Sequence, residues 1–170
     1  EGNGPRRSIL IMPVSGEEKG LLGSRYYTDN PIYPLESTVA NLNIDMIGRL
    51  DDWHDNGNYV YLIGSDRLSY DLHDLNEKIN NEYIGIDLDY RFNDKDDPNR
   101  YYYRSDHYNF AKNNIPVIFY FNGVHEDYHK PSDTIEKLDF DKINTITKLI
   151  FLTAWEIANR DDRIKLRDDL

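Results

Sequence analysis

The sequence predicts an α/β layered domain, and three observations carry that prediction. Short apolar, β-branched runs alternate along the chain with amphipathic runs at helical spacing, the pattern of a sheet with helices packed on it. The chain has 170 residues, enough for one domain with its own hydrophobic core. Near the C-terminus a long amphipathic segment offers one apolar side to such a sheet.

The elements follow in order. "SILIMPV" at 8–14 reads as a short buried strand that ends near Pro13. "GEEKGLLGSRYYTDNP" at 16–31 reads as a loop leading into a short helix, limited by Gly20 and Gly23 and closed by Pro31. "TVANLNIDMIG" at 38–48 is a second strand, with Val39, Leu42, Ile44 and Met46 apolar. "NYVYLIGS" at 58–65 is a third. At 67–83, Leu68, Leu72, Leu75 and Ile79 recur at helical spacing. "RSDHYNFAKNN" at 104–114 reads as a helix begun by a Ser or Asp cap. "IPVIFYF" at 115–121 is a strand. The segment 139–160 is the long helix, with Ile143, Ile146, Leu149, Ile150, Ala154 and Ile157 along one side.

Composition excludes several function classes. The formal net charge is −11 with no basic patch to neutralise phosphates, which argues against a nucleic-acid partner. There are no cysteines, so any metal must be held by His, Asp and Glu. No apolar run approaches the ~20 residues of a membrane span. Tyrosine outnumbers phenylalanine 14 to 6, which suits a wet, polar-lined cleft better than a greasy groove.

In open α/β sheets, ligands gather beyond the carboxyl ends of strands. Three acid- or His-bearing segments fall near such ends: Glu17 with Glu18, Asp45, and "HEDYH" at 125–129. The last matches the H-E-x-x-H pattern of zincins, which requires both His on one helix. Here Asn122-Gly123 precedes it as a turn pair and Pro131 follows two residues after His129. The segment therefore reads as a loop that can offer a single ligand. Taken alone, Glu17-Glu18 is a solvated acidic pair, Asp45 a turn or cap residue, and His129 a surface histidine.

Their significance comes from company. "SGEEKGLLGS", "NLNIDMIG", "RSDHYNF" and "DYHKPSDT" occur in that order. Together they resemble the M28 family of co-catalytic zinc aminopeptidases over about residues 9–157. The resemblance implies a partial three-layer α/β/α domain of the zinc-exopeptidase type, with a mixed, mostly parallel sheet. It implies Glu17 as general base and Glu18 as a zinc ligand. Asp45 would ligate the other zinc, and His129 would share a zinc with Glu18. Tyr128 would hydrogen-bond the developing oxyanion, Arg104 would contact substrate, and Asp133 would orient a ring or anchor its loop. The complete enzyme would hold two zinc ions and act on peptides.

The chain departs from the pattern upstream. The family's site also needs a His and a bridging Asp, in motifs of the type H-x-D and D-D-x-x-G. The sixteen residues before Glu17 contain neither His nor Asp. Residues 1–170 are thus expected to be a single partial domain, the C-terminal portion of a catalytic domain. By itself it would have an incomplete metal site and little or no activity. It would pair with the N-terminal segment or self-associate through exposed edges. Related proteins are often exported in bacteria, so a periplasmic or extracellular location is expected. Two other readings are a glutaminyl-cyclase-like transferase, which shares the fold and part of the ligand set, and a non-catalytic binding domain, which usually loses ligands or the base.

Overall fold

The structure, a computed structural model, describes residues 4–169. Its elements are α1 (Leu22–Asp29), β1 (Asn41–Ile44), β2 (Tyr59–Ile63), α2 (Tyr70–Ile79), β3 (Asp87–Asp89), α3 (His107–Ala111), β4 (Val117–Phe121) and α4 (Phe140–Asn159). The four strands form one sheet in the order β1-β4-β2-β3. β1 and β4 run parallel, β2 and β3 run parallel, and β2 meets β4 antiparallel. The predicted mixed, mostly parallel sheet is therefore present.

Strand alternation divides the core into two layers. Val60, Leu62, Ile118 and Tyr120 face α2 and α4, where Leu72, Ile79, Ile146, Leu149, Ile150 and Ile157 close over them. Tyr59, Tyr61, Ile63, Val117, Phe119 and Phe121 face the other way, onto Tyr101, Tyr102, Phe110 and Ala111. Helices on both faces make β2 and β4 fully buried, which is why their sequences read as continuous apolar runs rather than alternating ones. The result is the expected three-layer α/β/α arrangement.

Helix ends follow local chemistry. Ser69 accepts a hydrogen bond from the Leu72 amide at 3.0 Å and starts α2. Asp139 does the same for α4 with the Lys142 amide at 2.9 Å. The helical pattern read to residue 83 is interrupted earlier. α2 ends at Ile79, and a five-residue π-turn (Asn80–Ile84) carries the chain to Gly85, whose φ of 77° ends it. Asp106 takes the cap position of α3, but its side chain turns away to Ser24 instead.

One predicted strand is absent. Residues 8–14 pair with no strand among the described residues. Ile9, Leu10 and Ile11 are 46%, 52% and 85% exposed. Apolar, β-branched composition favours a strand only when a neighbour accepts its backbone hydrogen bonds and buries its side chains. Here no neighbouring strand is paired, and only Met12 and Val14 are partly buried, so the expectation is corrected to unpaired chain whose Ile9, Leu10 and Ile11 are exposed. β3, conversely, lies in a stretch with no strand signal. Among the described residues, no helix is long and apolar enough to cross a membrane.

Candidate active site

The carboxyl ends of the parallel pair β1 and β4 share one rim of the sheet. Asp45 directly follows β1, with its amide donating to the Tyr120 carbonyl at 3.3 Å. The loop that leaves β4 holds Tyr128 and His129. It is a chain of turns, not a helix: the Tyr128 amide donates to the His125 carbonyl at 3.0 Å, and the Lys130 amide to that of Asp127 at 2.8 Å. The H-E-x-x-H letters thus occupy a loop.

Glu17 and Glu18 reach this rim through a tight turn. Gly16 sits in the left-handed region at φ 71°, and Glu17–Lys19 form a single 3₁₀ turn. A Cβ on Gly23 would come within 2.7 Å of the Ser15 backbone, so only glycine lets α1 close onto the chain before the turn. α1 is then fastened to α3. The Ser24 hydroxyl donates to Asp106, and the Asn109 amide donates to Ser24 Oγ at 2.7 Å and to the Leu21 carbonyl at 3.2 Å.

His129 Nε2 lies 2.7 Å from Glu18 Oε1, although 111 residues separate them in the chain. Both side chains are exposed. The Tyr128 ring stacks on the His129 ring, with centroids 3.8 Å apart. Asp45 Oδ2 accepts from Ser105 Oγ at 2.8 Å, and Ser105 in turn accepts from the Asn43 amide at 3.0 Å. Burial raises the Asp45 carboxyl above its ordinary value, and the Ser105 hydrogen bond opposes the rise. Glu17 is pushed up to about 7 by burial, then by the negative charges of Asp45, Glu18 and Asp106, with His129 pulling the other way. Burial also raises the Tyr128 hydroxyl, while the Arg104 charge lowers it. The Arg104 guanidinium lies 5.0 Å from the Tyr101 ring centroid. Glu17, Glu18, Asp45, Tyr128, Arg104 and His129 therefore share one electrostatic neighbourhood. Asp133, four residues after His129, is bonded to Arg49 and lies 3.7 Å from His125.

An imidazole nitrogen and carboxylate oxygens are the donor types that suit zinc. Their number is short. Among the described residues, no three His, Cys, Asp or Glu side chains are grouped closely enough to hold a metal. A zinc at Glu18 and His129 would have two ligands from this chain where a catalytic zinc usually has three.

The sequence model of peptidase family M28 matches residues 1–154. The chain belongs to peptidase family M28. The M28 chain is similar in structure to the aminopeptidase LapA of Legionella pneumophila, at 25% identity and a TM-score of 0.66, covering 88% of this chain and 38% of that one. BSAP, a zinc aminopeptidase from Bacillus subtilis, is 23% identical with a TM-score of 0.66, covering 88% of this chain and 36% of that one. A glutaminyl cyclase from Porphyromonas gingivalis, 19% identical, gives a TM-score of 0.50 and covers 81% of this chain and 49% of that one. The M28 chain thus spans well under half the length of the aminopeptidases it matches. No curated protein matches it in sequence.

Two partners at this M28 site escaped the sequence reading. Ser105 sits inside the motif "RSDHYNF" and Arg49 directly follows "NLNIDMIG", yet their contacts are made to residues distant in the chain. His107, in the same motif as Ser105, is fully buried against Phe119 and takes no part in the site.

Proposed function

We propose that this chain is the C-terminal portion of a zinc-dependent aminopeptidase and carries one side of its active site. The observation that carries the reading is the convergence of Glu18 and His129 at 2.7 Å, beside Glu17 and Asp45, on one rim of an M28 fold. Glu18 and His129 would share one zinc, and Asp45 would ligate a second. A preceding segment would contribute the remaining ligands. Bound zinc supplies a water of lowered pKa and polarises the scissile carbonyl.

The chain's own groups have matching tasks. Glu17, held near neutrality, accepts a proton from the attacking water and returns it to the leaving amine, a role worth roughly 10²–10⁴-fold. Tyr128 keeps its proton at neutral pH and donates a hydrogen bond to the carbonyl oxygen as charge grows there. Arg104, permanently charged, contacts the peptide substrate from beside Tyr128. Asp133 anchors the His129 loop. The resemblance alone supports a periplasmic or extracellular setting.

An aminoacyl-p-nitroanilide assay with added zinc tests this reading. The chain alone is expected to stay at background. Turnover at a normal enzyme rate, lost on Glu17→Ala, would contradict the need for further ligands. The fold shared with a glutaminyl cyclase supports a second reading, cyclisation of N-terminal glutamine. Product analysis on a Gln-initiated peptide, with the chain joined to its preceding segment, separates the two. Free glutamine supports the aminopeptidase, and a pyroglutamyl peptide supports the cyclase. A non-catalytic binding domain is the third reading, and the joint retention of Glu17, Glu18, Asp45 and His129 argues against it.

A further inference from the structure

The chain contains three Asn-Gly pairs, Asn3-Gly4, Asn56-Gly57 and Asn122-Gly123. Asn3 lies outside the described residues. The other two place the same chemistry in opposite surroundings. Asn122 is 1% exposed, and its side-chain amide donates to the Tyr59 and Phe121 carbonyls at 3.4 and 3.2 Å. Asn56 is exposed, in the loop that leads into β2. That loop is pinned on either side of it. The Trp53 amide donates to the buried Asp51 carboxylate at 3.1 Å, and the His54 ring stacks on Tyr59 with centroids 3.4 Å apart. Asn56 Oδ1 accepts from the Asn58 amide at 2.9 Å, an Asx turn that folds the side chain along the Gly57 peptide. This bond draws electrons from the side-chain carbonyl carbon. Among the described residues neither Asn56 Nδ2 nor the Gly57 amide donates to any acceptor.

We propose that Asn56-Gly57 is a self-modification site, at which the folded chain converts Asn56 to aspartate and isoaspartate and thereby loosens the start of α4. The Gly57 backbone nitrogen bonds to Asn56 Cγ. The bond from Cγ to Nδ2 breaks, and ammonia leaves with the proton of the Gly57 amide. Water then opens the five-membered imide at either carbonyl, giving an aspartyl or an isoaspartyl linkage. A side chain at position 57 would shield the attacking nitrogen, but the fold leaves no room for one. A Cβ there would lie 2.9 Å from Asp139 Oδ2 and 3.4 Å from Lys142. Asp139 cannot swing away freely, because its Oδ1 caps α4 through the Lys142 amide. The packing of Gly57 on the first turn of α4 thus requires the residue that makes Asn56 reactive. It also makes the products costly. Isoaspartate adds a methylene to the backbone beside this wedge, and either product adds a carboxylate next to Asp55 and the Asp139 side.

The folded chain is held at mildly alkaline pH and sampled over time. Mass spectrometry follows the peptides bearing Asn56 and Asn122, and labelling by an isoaspartate methyltransferase reports the isoaspartyl product. The Asn56 peptide is expected to convert. The Asn122 peptide is expected to lag by about tenfold or more, because reaction there waits on local opening. In denaturing urea the lag is expected to vanish. Asn56 left unconverted in the folded chain while it converts in urea would overturn the proposal, and so would equal rates for the two peptides in the folded chain. The converted chain is expected to unfold at lower urea than the fresh one. Asn56→Gln, whose longer side chain must close a larger ring, is expected to keep its midpoint over the same time. A midpoint that stays put despite conversion, or falls equally in Asn56→Gln, would overturn the link to α4.

Discussion

His107 illustrates how a residue inside a site motif serves the fold. Its ring stacks on Phe119 with centroids 4.7 Å apart, and it is fully buried. Burial, the largest influence, lowers its pKa from 6.5 to about 3. The imidazole is neutral in the folded protein across the range in which the unfolded chain takes up a proton. Between pH 6.5 and 3 the unfolded state binds more protons, so stability falls as pH falls through that window. His107→Leu is expected to remove this part of the acid sensitivity, seen as a flatter dependence of the urea midpoint on pH between 6.5 and 4. An unchanged slope would contradict the assignment. Residue roles of this kind were only partly legible. Glu17, Glu18, Asp45 and His129 stood out because four motifs came in order. Ser105 did not, because a hydroxyl means nothing until the fold brings it to a carboxylate 60 residues away.

At the scale of elements, α4 was legible almost to its ends, because Asp139 supplies a cap and the apolar side repeats through Ile157. β2 and β4 were legible from their unbroken apolar runs. β3 was not, since Asp87 and Asp89 give an edge strand no apolar signature. Nor did periodicity reveal Lys142, which lies in the first turn of α4 with its ammonium group 3.3 Å from the Tyr59 ring centroid on β2. Among the described residues its Nζ has no hydrogen-bond partner. Burial lowers its pKa from 10.5 to about 7, against the pull of Asp51 and Asp139. Between pH 7 and 10.5 the unfolded chain holds more protons at this group, so its penalty on stability shrinks as pH rises. Lys142→Met is expected to stabilise the protein by about 1 kcal/mol at pH 7. Chemical denaturation at pH 7 and pH 9 checks this, with the gain smaller at pH 9. A destabilised variant would show that the amine contributes through its cation–π contact more than its burial costs.

At the scale of the whole molecule, the sheet is closed on neither edge among the described residues. There β1 pairs only with β4, and Ile44 on it is half exposed. Ile9, Leu10 and Ile11 lie exposed nearby in sequence to the Glu17 turn, and Phe151 and Trp155 stack with centroids 6.1 Å apart on the outer side of α4. An open edge with exposed apolar side chains invites pairing with another chain. Light scattering is expected to show association that rises with concentration and weakens on Ile11→Lys, whereas a clean monomer at all concentrations would count against it. The 8–14 segment explains why the sequence misled there: its residues are those of a strand, but a strand requires a partner that composition cannot announce.

The central claim, that Glu18 and His129 form a zinc position, is tested most directly by following the five histidine imidazoles by NMR during zinc titration of this chain. His129 is expected to shift first, through Nε2, while the buried His107 stays still, and Glu18→Ala should abolish the shift. Zinc that leaves His129 unmoved, or perturbs His54, His73 or His125 before it, would contradict the account.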